Sequence, residues 1–127
     1  MTETALMAKH YVSLGISILL NASSLLLLKH IALPELQGEL TLSQLPSTMK
    51  LALSVPFLIA ICLFASGFFF WMYALARIDL SLAYPTVSSS YVIIALASMY
   101  LFNEQVPLTR WLGMGIITIG IIVMYRN

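Results

Sequence analysis

A chain of 127 residues in which 61% are hydrophobic and 9% charged is far more apolar than a soluble domain, where about 25% of the residues are charged. This composition indicates an integral membrane protein, and the length accommodates four spans of about 20 residues with short connections. A net charge of +1 excludes the strongly basic surface by which proteins hold nucleic acid. The single cysteine, Cys62, excludes an intrachain disulfide and a cysteine-type metal site, and we expect it to be a small buried apolar residue.

The first predicted span covers residues 11–28. This run is too long for a cleaved signal peptide, and Lys29 and His30 follow it where a cleavage site needs small residues. Four polar side chains recur within the span at offsets that place them on one helical face, namely Ser13, Ser17, Asn21 and Ser24. Because an amide that faces hydrocarbon costs several kcal/mol, we expect this face to point into the bundle. Two roles for Asn21 stay open, a contact to a ligand and a hydrogen bond that joins two helices.

Residues 34–49 form a long connection, which we interpret as a surface loop that rests partly on the lipid headgroups, with a lid over a cavity as the alternative. The second predicted span covers residues 51–75. Within it, Ser66 and Gly67 allow a neighbouring helix to approach closely, and an aromatic block follows at residues 68–73. Tryptophan and tyrosine in such a block are typical of anchors at the membrane surface, and the block is also a candidate wall of a ligand site.

The third predicted span, residues 82–102, contains the stretch AYPTVSSSYVIIALAS at residues 83–98. Pro85 removes a backbone donor and clashes with the preceding turn, so we expect it to bend the helix within its first turns. Helical offsets place four hydroxyl side chains on one face, namely Tyr84, Ser88, Tyr91 and Ser98. Since lipid offers hydroxyl groups no partners, these side chains either line a cavity or bond a neighbouring helix. We favour the cavity.

The polar faces of the first and third spans together predict a substrate pathway. Uncharged polar side chains of the two helices would face each other and form a water-accessible cleft in an otherwise apolar bundle. The predicted substrate-binding residues are Ser17, Asn21 and Ser24 of the first span and Tyr84, Ser88 and Tyr91 of the third.

The fourth predicted span, residues 111–125, is short, and Trp111 and Tyr125 mark its two ends. With four spans, three basic residues lie on each side of the membrane: Lys9, Arg77 and Arg126 on one side, and Lys29, Lys50 and Arg110 on the other. Because orientation follows an excess of basic residues on one side, this tie leaves the orientation open. It permits an antiparallel homodimer with a site at mid-membrane.

Four short spans, the motif ALARIDLSLAYP at residues 74–85 and the block GMGIITIG at residues 113–120 resemble the small multidrug resistance proteins of the drug/metabolite transporter superfamily. The resemblance implies an all-α bundle of four transmembrane helices, comparable to one half-repeat of an EamA-like protein. In that family, glycines seven residues apart in the last helix pair two subunits, and Gly113 and Gly120 match them. Residues seven apart lie on the same face of a helix, and glycines on that face let the backbone of a second helix come close. Contact within the chain's own bundle is the alternative role of both glycines.

One departure from that family argues against drug export. The family's exporters bind protons or cationic drugs with a glutamate eight residues before a lysine of the first helix, and counting back from Lys29 gives Asn21. An amide does not titrate in the physiological range, and none of the four predicted spans contains an acidic residue. The tryptophan on which that family stacks aromatic drugs is also missing, because Val87 stands in its place.

The chain more closely resembles the ArnE and ArnF family of small subunits of the flippase for undecaprenyl-phosphate aminoarabinose. The shared features are the AYP step at residues 83–85 and the loop LFNEQVPLTRWLG at residues 101–113. This resemblance implies a lipid-linked sugar as substrate, with hydroxyls and the amide bonding the sugar and with Lys29 or Arg110 holding the phosphate. Pairing of these basic residues with ordinary lipid phosphates is the alternative. We expect Glu104 to form a salt bridge with Arg110 or to cap the fourth helix.

We therefore predict a transporter or flippase subunit of the bacterial inner membrane, acting as a homodimer in either relative orientation or as a heterodimer with a similar small subunit. One alternative is a small cation or drug exporter in which His10 or His30 titrates, although both histidines are expected to be interfacial. Another is a non-transporting subunit of a membrane glycosyltransferase. An enzyme is not predicted, because no recognisable catalytic set is found, and neither a cofactor, a metal nor nucleic acid is expected.

Overall fold

The computed structural model describes residues 2–35 and 45–126, and these two ranges contain six helices. In chain order the helices are α1 (Thr2–Glu35), α2 (Leu45–Ala52), α3 (Val55–Leu75), α4 (Leu80–Val87), α5 (Ser90–Phe102) and α6 (Leu108–Met124). The predicted all-α class is confirmed, since the described residues form helices and turns and no strand. Most of the connection interpreted as a loop or lid, residues 36–44, lies outside the described residues.

Three helical stretches are long and apolar enough to cross a membrane: Met7–Ala32 within α1, Val55–Leu75, and Leu80–Phe102, which combines α4 and α5. Helix α6 is apolar but has only 17 residues. At a rise of about 1.5 Å per residue, this gives a length of about 25 Å against about 30 Å of hydrocarbon. Large apolar side chains are exposed along all of these helices, as a surface covered by lipid or by another membrane protein requires.

The start of α3 follows from its local sequence. The Ser54 hydroxyl accepts a hydrogen bond from the Phe57 N–H at 3.4 Å, which satisfies one of the free donors of the first turn. Pro56 stands in this first turn, where its fixed φ suits a helix and an N–H would have no partner. The long helix therefore begins at Val55 rather than at residue 51, because residues 51 and 52 belong to the short helix α2.

The most extensive helix contact joins α1 and α3. Ala60 and Gly67 of α3 are buried where the two helices meet, because small residues let two backbones come close. The Ser24 hydroxyl of α1 donates a hydrogen bond across this contact to the Ala60 carbonyl at 2.8 Å. Cys62 lies on the exposed side of α3, which corrects the expectation that it is buried.

The apolar core lies near one end of the bundle, where α1, α3 and α4 meet. Its buried residues are Leu14, Ile18, Ala74, Ile78 and Ala83. His10 is buried at the same end, with its ring stacked on that of Tyr73 at a centroid distance of 4.7 Å and its Nδ1 atom 2.9 Å from the Tyr73 carbonyl oxygen. The expectation that His10 lies at the membrane interface stays a prediction. Because α1 begins before residue 11, His10 lies within the contact between α1 and α3.

The third membrane-crossing stretch is broken into two helices after Pro85. Ser88 and Ser89 separate α4 from α5, and their N–H groups donate to the carbonyls of Pro85 and Thr86, both at 3.0 Å. Bonds between residues three apart thus replace the α-helical pattern. The proline lacks an N–H, and the Thr86 hydroxyl donates to the Leu82 carbonyl at 2.7 Å, which satisfies one carbonyl beside it. The two helices stay nearly continuous, since Ser88 and Ser89 keep right-handed helical backbone angles.

Helix α5 ends at a residue in the left-handed conformation. Asn103 has φ 51° and ψ 34°, a region that glycine and asparagine enter most easily. The next residue, Glu104, donates its backbone N–H to the Ser98 carbonyl at 3.4 Å. This turn directs the Glu104 side chain toward the end of α1, where it meets Lys29.

Substitution of Asn103 tests the turn. We expect Asn103→Gly to retain thermal stability, and Asn103→Val to lower the free energy of unfolding by about 1–2 kcal/mol, the usual cost of left-handed backbone in a residue that, unlike glycine or asparagine, does not tolerate it. The midpoints of thermal unfolding of both variants in the same detergent check this expectation. Equal midpoints for the glycine and valine variants would show that the left-handed geometry is not needed.

Candidate functional site

A cavity of about 360 Å³ lies between α1, α3, α4 and α5, and we call it the mid-bundle cavity. Its lining residues are Ser17, Ile18, Asn21, Ala22, Leu25, Phe64, Phe68, Trp71, Tyr84, Val87, Ser90, Tyr91 and Ile94. Four of the predicted substrate-binding residues lie together in this lining, namely Ser17, Asn21, Tyr84 and Tyr91. The volume falls within the range of about 300–1,000 Å³ that small-molecule sites occupy.

Asn21 is the central polar group of the mid-bundle cavity. Its Oδ1 atom is buried and accepts no hydrogen bond from the part of the chain that the structure describes. The side chain lies against Gly67 of α3, where an added Cβ atom would come within 2.7 Å of Oδ1 and 2.9 Å of Cγ. A buried acceptor without a partner costs about 1–3 kcal/mol, and this one is packed against α3 rather than open to the cavity. Both roles predicted for Asn21, a ligand contact and a hydrogen bond between helices, stay predictions.

Aromatic residues of α3 close one side of the mid-bundle cavity. Phe64, Phe68 and Trp71 line it, and Trp71 meets Tyr84 edge to face, with ring centroids 5.4 Å apart and planes at 80°. Trp71 is half-buried and lines the cavity, in agreement with the alternative role as a wall, and its role as an anchor at the membrane surface stays a prediction. The offsets of four and three residues among these aromatics place them on one helical face. This spacing is a signal that could have identified Phe64 from the sequence.

A second cavity, of about 490 Å³, lies between α1, α5, α6 and the loop before α6, and we call it the charged-end cavity. Three charged residues line it, Lys29, Glu104 and Arg110, so both predicted phosphate ligands lie here. Glu104 forms a salt bridge with Lys29 and not with Arg110 as expected, because the turn at Asn103 brings its carboxylate to α1. The Lys29 Nζ atom also lies 4.8 Å from the centroid of the Phe102 ring, which is a cation–π distance.

The two cavities are neighbours. Leu25, Tyr91 and Ile94 line both of them, so the side chains of these three residues form the shared wall. Tyr91 contributes the hydroxyl group of this wall. A polar headgroup that passes from the charged-end cavity to the mid-bundle cavity must therefore pass Tyr91.

Two of the predicted substrate-binding serines take other positions. Ser24 is fully buried in the contact between α1 and α3, where its hydroxyl bonds the Ala60 carbonyl, so it joins two helices and lines neither cavity. Ser88 lies between α4 and α5 and is absent from the lining of both cavities, whereas Ser90 lines the mid-bundle cavity. Ser17 does line this cavity, although its hydroxyl donates to a carbonyl of its own helix at 2.7 Å. The substrate-binding role expected for Ser24 is thus corrected, and that of Ser88 stays a prediction.

Gly113 and Gly120, the predicted dimer contacts, have open space beside them. Gly113 lines the charged-end cavity and Gly120 is exposed, and an added Cβ atom at either position would meet no atom within 4 Å. Helix α6 contacts the described bundle sparsely, for example where the Tyr125 hydroxyl lies 2.9 Å from Thr86 Oγ1. The alternative role of both glycines, close contact within their own bundle, is therefore wrong. Their role in pairing two subunits stays a prediction.

The salt bridge of Glu104 makes stability depend on pH. The hydrogen bond and the charge of Lys29 hold the pKa of the Glu104 carboxyl below its usual value. The pKa of Glu104 is lower in the folded state than in the unfolded state. The salt bridge therefore stabilises the folded state above the usual carboxyl pKa, and this stabilisation is lost as the pH falls through the lowered pKa.

We therefore expect the thermal unfolding midpoint in detergent to fall between about pH 7 and about pH 3, and to fall less in Glu104→Gln than in the unmodified chain. The matched control is Asp79→Asn, which neutralises an exposed carboxylate whose side chain makes no capping hydrogen bond. Its acid sensitivity should equal that of the unmodified chain. If Glu104→Gln is as acid-sensitive as the unmodified chain, the salt bridge does not contribute to the pH dependence of stability.

Comparison with known families identifies the kind of protein that carries these cavities. The chain matches the family described as the EamA-like transporter family over residues 5–126, a range that includes every lining residue of both cavities. This chain belongs to the EamA-like transporter family. Family membership and the three membrane-crossing stretches together make it a multi-pass membrane protein.

Several curated relatives of this EamA-like protein carry the same name. Over 85 residues it is 38% identical to the probable 4-amino-4-deoxy-L-arabinose-phosphoundecaprenol flippase subunit ArnE of Serratia proteamaculans (strain 568), with 66% of this chain and 74% of that protein covered. Over 109 residues it is 32% identical to the protein of the same name from Yersinia pseudotuberculosis serotype O:3 (strain YPIII), with coverages of 80% and 96%. The relative from Pseudomonas syringae pv. syringae (strain B728a) is 37% identical over 69 residues, with coverages of 54% and 64%. The resemblance predicted from the motifs is confirmed, while no solved structure matches the chain.

Proposed function

We propose that this EamA-like protein is a subunit of a flippase that moves a polyprenyl-phosphate-linked amino sugar across the bacterial inner membrane. The family is one of transporters, and the relatives are named as probable subunits of a flippase for such a substrate. In this role the chain moves its cargo without making or breaking a covalent bond, so it is not an enzyme.

The uncharged polar lining of the mid-bundle cavity is the observation that carries this proposal. Asn21, Tyr84 and Tyr91 line this cavity, and none of its lining residues is charged. Sugar hydroxyls are donors and acceptors that carry no charge, so an amide and phenol hydroxyls can bond them without a titrating group. The site therefore suits a sugar better than it suits a cationic drug.

The neighbouring charged-end cavity supports a route for the headgroup. Lys29 and Arg110 line it, and both can form charge-assisted hydrogen bonds with a phosphate. The headgroup would dock there first through its phosphate and would then pass Tyr91 into the mid-bundle cavity. The polyprenyl chain would stay in the bilayer, because the outer surface of the bundle is apolar and the hydrocarbon gains nothing by leaving lipid.

A second chain is part of this proposal, because the relatives are named as subunits. Helix α6 offers a face for it, since Gly113 and Gly120 leave space for a close backbone approach and the neighbouring Leu112 and Ile116 are exposed. Either a second copy or a similar small subunit fits this face.

The experiment is to purify the full chain with its co-expressed partner in mild detergent, identify the co-bound lipid by native mass spectrometry, and measure headgroup translocation after reconstitution into liposomes. We expect a polyprenyl phosphate carrying a sugar to be bound and translocated. Purification with a glycosyltransferase, with no translocation by the reconstituted assembly, would instead identify a non-transporting subunit.

A further inference from the structure

The charged-end cavity combines two cations with one carboxylate, Lys29 and Arg110 with Glu104. We propose that Glu104 receives the ammonium group of the amino sugar when the phosphate draws Lys29 away, so that this cavity selects zwitterionic headgroups over purely anionic ones. The inference rests on the proposed function, because it assigns the substrate specificity of the same site.

The salt bridge that must open is accessible. The side chains of Lys29 and Glu104 are 37% and 43% exposed, and an ion pair this exposed contributes little net free energy, so a ligand can displace it. The carboxyl group is ionised at neutral pH, since Lys29 lowers its pKa. The cavity therefore presents the ionised Glu104 carboxylate, and its salt-bridge partner Lys29 can be displaced by a ligand.

Charge pairing decides which headgroup the cavity accepts. In the free chain Lys29 neutralises Glu104, and Arg110 forms no salt bridge with any carboxylate whose side chain the structure describes. A bound phosphate attracts both cations, and the departure of Lys29 leaves the Glu104 carboxylate without its cation. An ammonium group on the sugar takes the place of Lys29, so that every charge has a partner. A hydroxyl in the same position offers only a neutral donor, which forms a weaker hydrogen bond with a carboxylate.

Among the described side chains, Asp79 is the other carboxylate, and it cannot perform this role. It stands at the start of α4, at the end of the bundle where α1 meets Tyr73 and Ile78. Lys29 and the charged-end cavity lie at the opposite end of α1. Asp79→Asn is therefore a matched control for Glu104→Gln.

The test uses the full chain with its partner and three probes: a short-chain polyprenyl phosphate without sugar, the same lipid carrying an amino-pentose, and the same lipid carrying a pentose with a hydroxyl in place of the amine. We expect the unmodified chain to bind the amino-pentose lipid about tenfold more tightly than the hydroxyl form, the difference between a charge-assisted and a neutral hydrogen bond. Glu104→Gln should bind both sugar lipids alike and should bind the sugar-free lipid at least as tightly as the unmodified chain, because Lys29 is free to reach the phosphate. Glu104→Asp and Asp79→Asn should keep the preference.

The outcomes separate the two proposals. If the unmodified chain binds both sugar lipids equally, the selective role of Glu104 is refuted while the proposed function stands. If it binds none of the three lipids, both are refuted. A preference that persists in Glu104→Gln, or a loss of sugar-free lipid binding in that variant, would also overturn the exchange of partners at Glu104.

Discussion

Replacement of Asn21 by leucine should slow headgroup translocation in liposomes by at least about tenfold, the factor that corresponds to about 1.4 kcal/mol in a rate barrier. The change replaces an amide side chain in the lining of the mid-bundle cavity with an apolar one. Sugar hydroxyls that leave water then meet a less polar lining inside the bundle, which raises the barrier to passage. Thermal stability in detergent should be retained, because the substitution removes a polar atom that has no partner in the described residues.

The matched control is Ser23→Leu, two residues further along α1. The Ser23 side chain is exposed, and its hydroxyl bonds the Leu19 carbonyl of its own helix at 2.8 Å, so its loss should leave translocation unchanged. Rates are compared at equal amounts of reconstituted protein. Translocation by Asn21→Leu at the rate of the control would remove Asn21 from the pathway.

Gly67→Val should destabilise the contact between α1 and α3 by about 1–3 kcal/mol, the usual cost of forcing extra atoms into a packed interior. The physical reason is the Asn21 side chain, whose Oδ1 and Cγ atoms would lie 2.7 and 2.9 Å from an added Cβ atom. Such distances force Asn21 or the helices to move. Thermal unfolding in detergent measures the loss, and Gly115→Ala is the control, because a Cβ atom there would meet nothing within 4 Å.

A double-mutant cycle tests whether position 67 needs glycine because the Asn21 side chain packs against it. Gly67→Ala should cost stability in the unmodified chain and much less when Asn21 is also alanine, with a coupling energy of about 0.5–3 kcal/mol, as for other residues in contact. Costs that simply add would mean that the two side chains do not constrain each other, and the close approach seen at Gly67 would need another cause.

The sequence by itself determined the class of the protein and the inward face of the first helix. The apolar composition and the four apolar stretches required a helical membrane protein, since only helices satisfy the backbone of such segments within lipid. The stripe on α1 was predictable because α1 is continuous and its period of 3.6 residues applies from end to end. Ser13, Ser17 and Ser24 are buried accordingly, and Asn21 lies with them.

Only the tertiary structure decided how that inward face is used. Ser24 joins α3 rather than lining a cavity because the small Ala60 brings the backbone of α3 within reach, and this depends on which helix packs there. Pro85 and the three-residue bonds after it separate α4 from α5, and yet Tyr84 and Tyr91 on the two sides still line one cavity. Glu104 pairs with Lys29, 75 residues away in the chain, because a left-handed turn aims it at α1. Contacts between residues far apart in the chain leave no periodic signal in the sequence. They are decided by how the helices pack in the folded protein.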